Sequence, residues 1–125
     1  MSSLMCFKGV ENMDCIFCKI AAGEIPSTKV YEDEKVLAFK DINPLAPVHI
    51  LVIPKTHIES AAAITSENSA VISYIFEVIA KIVKEQEIDK DGFRVVTNCG
   101  ENGCQSVKHL HFHILGGRKL DATMG

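Results

Sequence analysis

From His109 to Ile114 the chain reads His-Leu-His-Phe-His-Ile. In a β-strand successive side chains point to opposite faces, so this alternation sets His109, His111 and His113 on one face and Leu110, Phe112 and Ile114 on the other. The expected result is a reactive surface backed by a core. A single histidine in an apolar strand is usually a structural residue held by a local hydrogen bond. Three at period two, beside Gln105 and Ser106 and ahead of Gly116-Gly117, point to chemistry instead. Imidazole serves near neutral pH as nucleophile, proton carrier or metal ligand. The pattern alone does not say which ring does which.

With 125 residues, 47% of them hydrophobic, the chain fits one domain with a substantial core. A net charge of −3 provides no basic stripe for a nucleic-acid backbone, whereas small phosphorylated ligands remain compatible, since backbone N–H groups and histidines hold phosphate without bulk positive charge. No apolar run is long enough to span a bilayer and the N-terminus lacks a signal-peptide core, so a soluble cytoplasmic protein is expected. Five cysteines are an odd number, and Cys15-Ile16-Phe17-Cys18 points to metal or redox chemistry before structural disulfides.

Residues 1–13 show neither helical nor strand periodicity and read as a flexible leader to a folded unit spanning 14–125. Asp14 is expected to cap a short helix that buries Ile16, Phe17 and Ile20 and stops at Gly23. Strands are expected over 29–32 and 35–40, joined at Asp33-Glu34 as an antiparallel hairpin. Val48 to Ile53, apolar except for His49, reads as a central strand buried on both faces. Thr65 or Ser66 should cap a long helix whose stripe runs Val71, Ile72, Ile75, Val78, Ile79, Ile82 and Val83. A strand over 93–98 then leads through a Gly-rich loop to the histidines. These elements predict an α+β domain, an antiparallel sheet of about five strands with one long packed helix and a short N-terminal one.

In the loop from Asn98 to Ser106, Gly100 and Gly103 let backbone N–H groups approach an anion, while Gln105 and Ser106 add donors, so a phosphate can be held beside the imidazoles. The plainer reading is a hairpin loop that needs glycine for its turns. Three segments together, Cys-Ile-Phe-Cys-Lys-Ile, Asp-Ile-Asn-Pro-Leu-Ala-Pro-Val-His-Ile-Leu-Val-Ile-Pro-Lys-Thr-His-Ile and Gln-Ser-Val-Lys-His-Leu-His-Phe-His-Ile-Leu-Gly-Gly-Arg, resemble the histidine-triad (HIT) family, most of all its purine nucleoside phosphoramidases. The likeness runs from about Asp14 to Arg118.

The resemblance implies a homodimer, with the long helix and the strand near Phe93 contributing to the interface. Each subunit is expected to bind a purine nucleoside monophosphate and to cleave the bond from its α-phosphorus to a leaving group. By the same likeness His111 is the nucleophile, forming a nucleotidyl-histidine that water hydrolyses. His113, His49 and Ser106 correspond to positions around the phosphate and leaving group, Asn98 and Gln105 to the lining of the cup, and Asp41 to the carboxylate that takes the ribose hydroxyls. Ile16, Phe17, Ile25, Phe39 and Ile42 correspond to the purine-facing wall. For Asp41 the residues alone also allow a loop cap ahead of Asn43-Pro44.

A Cys-x-x-Cys pair is a redox pair, half of a metal site, or two small packed side chains. If the 48–53 strand runs antiparallel beside the triad strand, His57 comes to His109 and His49 to His113. That arrangement nominates Cys15, Cys18, His57 and His109 as a closed, structural zinc site, with His49 the rival for the third place; some HIT proteins with this pair carry such a zinc. The chemistry itself requires no metal. Cys99 and Cys104 lie in the loop, open to oxidation. The leading expectation is a hydrolase of purine nucleoside phosphoramidates. The alternatives are a diadenosine polyphosphate hydrolase and a nucleotide-binding scaffold with little turnover.

Overall fold

Five strands, β1 (Lys29–Glu32), β2 (Val36–Lys40), β3 (Val48–Pro54), β4 (Phe93–Val96) and β5 (Phe112–Gly116), pair antiparallel in the order β1-β2-β3-β5-β4. Helix α1 (Ile16–Ala21) precedes the sheet, and α2 (Ser69–Glu85), after a 3-10 turn at Ala61–Ala63, links β3 to β4. The computed structural model describes residues 15–124, so the expected leader over 1–13 and the cap at Asp14 lie outside the described residues. No helix among the described residues is long and apolar enough to cross a membrane.

Period-two alternation sorts the sheet into two faces. Val36 and Ala38 on β2, Ile50 and Val52 on β3, and Phe112 and Ile114 on β5 meet Ile75, Val78, Ile79, Ile82 and Val83 of α2. Leu37, Phe39, Leu51 and Ile53 turn the other way, onto Phe17 and Ile20 of α1. β3 is therefore covered on both faces, which is why its sequence is almost unbroken in apolar character. Full burial of each large side chain contributes about 1.5–3 kcal/mol, so α2, with five buried residues, is held chiefly by its packed stripe.

Several boundaries differ from expectation. Cys15 is the N-cap of α1, its Sγ accepting the Cys18 N–H at 3.3 Å, and Ile16 is 37% exposed, not buried with Phe17 and Ile20. α2 begins three residues after Ser66. Thr65 instead closes a preceding turn, with Oγ1 accepting from Glu67 N–H at 3.2 Å, while Asn68 bridges back to the Thr65 N–H and the Ala63 carbonyl. β4 ends at Val96, and β5 begins only at Phe112. The segment before β5 keeps its alternation without the ladder, because the Leu110 N–H bonds instead to Ile58 O at 2.6 Å.

The β1–β2 turn is tied to α2 through one carboxylate. Asp33 Oδ1 accepts the Lys35 and Val36 N–H groups at 2.8 and 2.9 Å, and Oδ2 accepts the hydroxyls of Tyr31, at 2.8 Å, and of Tyr74 on α2. Partial burial pushes its pKa up, but the Tyr74, Lys35, Tyr31 and Val36 hydrogen bonds outweigh this and hold it at about 2. A depressed carboxylate contributes stability above its unfolded value of 3.8, and that contribution is lost as pH falls toward about 2. Asp33→Ala should lower the unfolding free energy at pH 7 by about 1–2 kcal/mol in urea titrations. The gap from wild type should close between pH 4 and 2; a gap that stays constant over this range would show that the charge is not what clamps the turn.

Candidate active site and metal centre

The Leu110–Ile58 hydrogen bond draws the end of β3 against the approach to β5, so His57 and His109 become neighbours, ring centroids 4.9 Å apart. α1 brings two thiols to the same corner. Cys15 Sγ lies 3.4 Å from His109 Nδ1, and Cys18 Sγ lies 3.4 Å from that nitrogen and 3.2 Å from His57 Nδ1; the two Nδ1 atoms are 3.2 Å apart. The far nitrogen of His109 determines what the corner can hold. Its Nε2 stands 2.8 Å from the Pro54 carbonyl, which can only accept, so Nε2 carries the proton and Nδ1 presents a lone pair to the two sulfurs and His57. Burial drives the His109 pKa down to about 4, so the ring is neutral, as a metal ligand must be. Donors around a tetrahedral zinc, with Zn–N about 2.0 Å and Zn–S about 2.3 Å, stand about 3.3–3.8 Å apart, close to the spacings here. The four residues fit a closed metal centre. His49, the rival donor, is at the opposite end of β3.

Beyond this corner the chain turns to different chemistry. His111 Nδ1 is 2.7 Å from the His109 carbonyl and therefore donates to it. Burial pulls the pKa of His111 below its ordinary 6.5, leaving a neutral ring whose Nε2 lone pair has no hydrogen bond among the described residues. The expected open surface of imidazoles is in fact enclosed: His109 is 0% and His111 2% exposed, with Phe17 packed edge-on against His111 at 5.0 Å. His113 lies 5.1 Å from His111, centroid to centroid.

His49 and His113 form a directed pair. The Leu45 N–H donates to His49 Nδ1 at 3.0 Å, so neutral His49 carries its proton on Nε2 and donates it to His113 Nδ1, also at 3.0 Å. His113 in turn keeps its own proton on Nε2. Burial lowers the pKa of both rings, His113 to about 4, while the Asp41 carboxylate, 3.4 Å from His49 Nε2, works in the opposite direction. Asp41, His49 and His113 also bring their ligand atoms within 4.8 Å of one another. A cation there would need a lone pair on the nitrogen that the Leu45 hydrogen bond obliges to hold a proton. This group is built to orient protons, and the Leu45 N–H that sets its direction has no signature in side-chain sequence.

Two pockets flank these rings. One, of about 330 Å³, is lined by Ile16, Phe17, Phe39 and Ile42 together with Asp41, and by Ile20, Ser27 and Leu51, which the sequence reading missed. Leu51 was legible in principle, since it pairs with Phe39 across β2 and β3. Ile25 is absent from that lining and packs against the core cluster around Phe17 and Leu37. The second, about 320 Å³, is lined by His49, His113, Ser106, Asn98 and Arg94, among others. Asp41 does act as a loop cap, its Oδ1 accepting the Asn43 N–H at 2.8 Å, and it faces the first pocket as well.

The loop carries fewer presented donors than expected. Gln105 is buried: its Nε2 donates to the Glu59 and Val107 carbonyls at 2.7 and 3.0 Å, and its Oε1 accepts the Gly100 N–H at 2.9 Å. It braces the loop and does not line the cup. Asn98 Nδ2 likewise donates to Gly103 O at 2.8 Å. A Cβ on Gly103 would stand 2.5 Å from the Cys99 carbonyl, so this glycine is required by loop closure. Cys99 is exposed, 3.3 Å from the Ser60 hydroxyl, which holds its thiol below the usual range. Ser106 remains as a hydroxyl in the pocket with no hydrogen bond to the rest of the described chain.

Residues 14–123 match the family described as scavenger mRNA decapping enzyme C-terminal binding. The chain is 51% identical over 118 residues to a 14 kDa zinc-binding protein of Zea mays, covering 93% of this chain and 91% of that protein. It is 43% identical over 107 residues to the purine nucleoside phosphoramidase of Escherichia coli K12, covering 86% and 90%. The solved structure of a histidine triad protein from Clostridium difficile aligns with a TM-score of 0.87 at 60% identity, covering 90% of this chain and 98% of that one. The chain belongs to the histidine-triad family.

In this HIT protein the triad is divided between two environments. His109 turns its lone pair to the thiols, while His111 and His113 offer a lone pair and a proton, respectively, at Nε2. Nitrogen-15 NMR at pH 7 should find His111 as the Nδ1–H tautomer and His113 as the Nε2–H tautomer, both neutral, with midpoints below 6.5 and that of His113 near 4. Finding His113 protonated on Nδ1 would contradict the direction of the relay from Leu45.

Proposed function

We propose that this HIT protein hydrolyses purine nucleoside phosphoramidates through a covalent nucleotidyl-histidine at His111. The observation that carries the reading is the His109 carbonyl holding the Nδ1 proton of His111, which leaves Nε2 as a free lone pair and steadies the positive charge that grows on the ring during attack. His111 lies between Phe17 of one pocket and His113 of the other, so a phosphorus atom there would have its nucleoside against Phe17 and Phe39 and its leaving group toward Ser106. Asp41, in the first pocket, suits the ribose hydroxyls, because charge-assisted hydrogen bonds to a carboxylate contribute about 1.5–3 kcal/mol each.

In the first step His111 Nε2 bonds to phosphorus and the phosphorus–nitrogen bond breaks. The departing nitrogen keeps the electron pair and takes a proton from a water molecule that the His113 Nε2–H orients, leaving hydroxide, while His111 becomes a nucleotidyl-imidazolium. The hydroxide then attacks phosphorus, and the phosphorus–nitrogen bond to His111 breaks, freeing the neutral ring and the nucleoside monophosphate. Proton transfer of this kind contributes about 10²–10⁴-fold. The activity named for the E. coli relative supports this reading.

Turnover of adenosine 5′-phosphoramidate to AMP should fall by at least about 10³-fold in His111→Ala while AMP binding persists. Labelled nucleotide trapped on the wild type should map to position 111. Equal rates in the two proteins would remove the nucleophile. Turnover of diadenosine polyphosphates alone, or AMP binding with no turnover in either protein, would favour the alternative hydrolase or a binding role. Because burial lowers the pKa of His111, kcat/KM should hold from pH 8 down to 6.5 and fall only below that value, where protonation takes the lone pair.

We further propose that Cys15, Cys18, His57 and His109 hold a structural zinc ion, which when bound would neutralise the thiolates and cross-link α1 to the segments around β3 and β5. The donor geometry and the name of the Zea mays relative support this. Metal analysis of protein purified without chelator should give one zinc per chain. Cys18→Ser should lose it and melt at lower temperature; unchanged zinc content would reject the assignment. A homodimer is the assembly we propose, supported by β4 at the sheet edge and by the exposure of Phe93 (40%) and Phe76 (48%).

A further inference from the structure

The two residues enclosed by the cysteines of the Cys15-x-x-Cys18 pair are Ile16 and Phe17, and both line the 330 Å³ pocket. The segment that supplies half of the metal donors therefore also supplies part of the pocket wall, with Ile20 one turn further on. α1 has six residues, far too few to hold a helical shape unaided. Its fixed points are the Cys15 cap on the Cys18 N–H, the burial of Phe17 and Ile20, and the approach of both sulfurs to His109 Nδ1. Phe17 continues the connection, its ring edge-on to His109 at 6.1 Å and to His111 at 5.0 Å.

We infer that the metal centre and the nucleotide pocket are thermodynamically linked through α1, so that metal bound at Cys15, Cys18, His57 and His109 raises nucleotide affinity and nucleotide raises metal affinity. This rests on the reading of the 330 Å³ pocket as the nucleoside site. With the four donors gathered around a cation, Cys15 and Cys18 are immobilised, and Ile16 and Phe17 between them present a formed wall. Without it, each nucleotide that binds must also order the helix. A base pressed on Ile16 and Phe17 in turn holds the two sulfurs where the imidazoles already point. Linkage requires the same factor in both directions, and couplings of this kind are about 5–150-fold.

The test measures AMP binding by calorimetry to zinc-loaded and chelator-stripped protein, with far-UV circular dichroism confirming that the sheet is retained. AMP should bind about tenfold more weakly to the stripped form. A cobalt-loaded sample provides a second readout that does not depend on the stripped protein staying folded: AMP should shift the d–d absorption bands of the ion and slow its loss to excess chelator by about tenfold. Ile16→Ala alters the partly exposed wall residue and no donor. It should weaken AMP binding, leave zinc affinity in the absence of AMP unchanged, and reduce the coupling. Equal AMP affinity with and without metal, or cobalt bands and release rates indifferent to AMP, overturns the linkage alone. Failure of AMP to bind the loaded protein overturns the pocket assignment on which it rests.

Discussion

The pairing of β3 with β5 is the constraint from which both sites follow. Val52 opposes Phe112, Leu51 opposes His113 and His49 opposes Leu115, so His49 and His113 are diagonal neighbours on one face. The same antiparallel run carries the chain beyond Pro54 to His57, next to His109. A slip of one residue in this register would turn the imidazoles toward α2 and the isoleucines toward the pocket. The slip is resisted by the alternation of β5, which buries Phe112 and Ile114 against α2 and keeps His113 on the other face, so the packing that folds the protein also aligns its imidazoles.

Given that alignment, the rings are differentiated by backbone groups. Pro54 O takes a proton from His109, His109 O takes one from His111, and the Leu45 N–H gives one to His49. A carbonyl can only accept and an amide N–H can only donate, so each contact fixes a tautomer, and burial keeps the rings uncharged. Three chemically identical side chains thereby present different groups, a lone pair toward the thiols at His109, a free lone pair at His111 and an N–H at His113, and the proposed roles of metal donor, nucleophile and hydrogen-bond donor rest on that difference.

The sequence made much of this legible because alternation is a local property. His109, Leu110 and their successors reveal their two faces without reference to anything distant, and the apolar run of β3 marks it as central. The meeting of His57 with His109 needed only the further assumption that β3 and β5 are antiparallel neighbours. What stayed hidden depends on which partner each group takes in the folded chain. Gln105 reads as a free donor until Glu59 and Gly100 are seen to occupy it. Ile25 reads as pocket wall until the core is seen to claim it. Thr65 is a sound cap by composition, yet Asn68 closes the turn ahead of α2 and delays the helix.

The depth of His111 is consistent with a reactive role. A nucleophile open to water would have its lone pair solvated and its pKa near 6.5, so part of the population would be protonated at neutral pH. Enclosed by Phe17 and His113, the ring is held uncharged and in one orientation, and the desolvation that disfavours the imidazolium in the resting protein is relieved once an anionic phosphoryl group arrives beside it. The same enclosure makes the position of Phe17 a condition of the chemistry. Phe17 is held by α1, and α1 by Cys15 and Cys18, so in the proposed reaction a group that never touches the substrate would help to decide how closely phosphorus approaches Nε2.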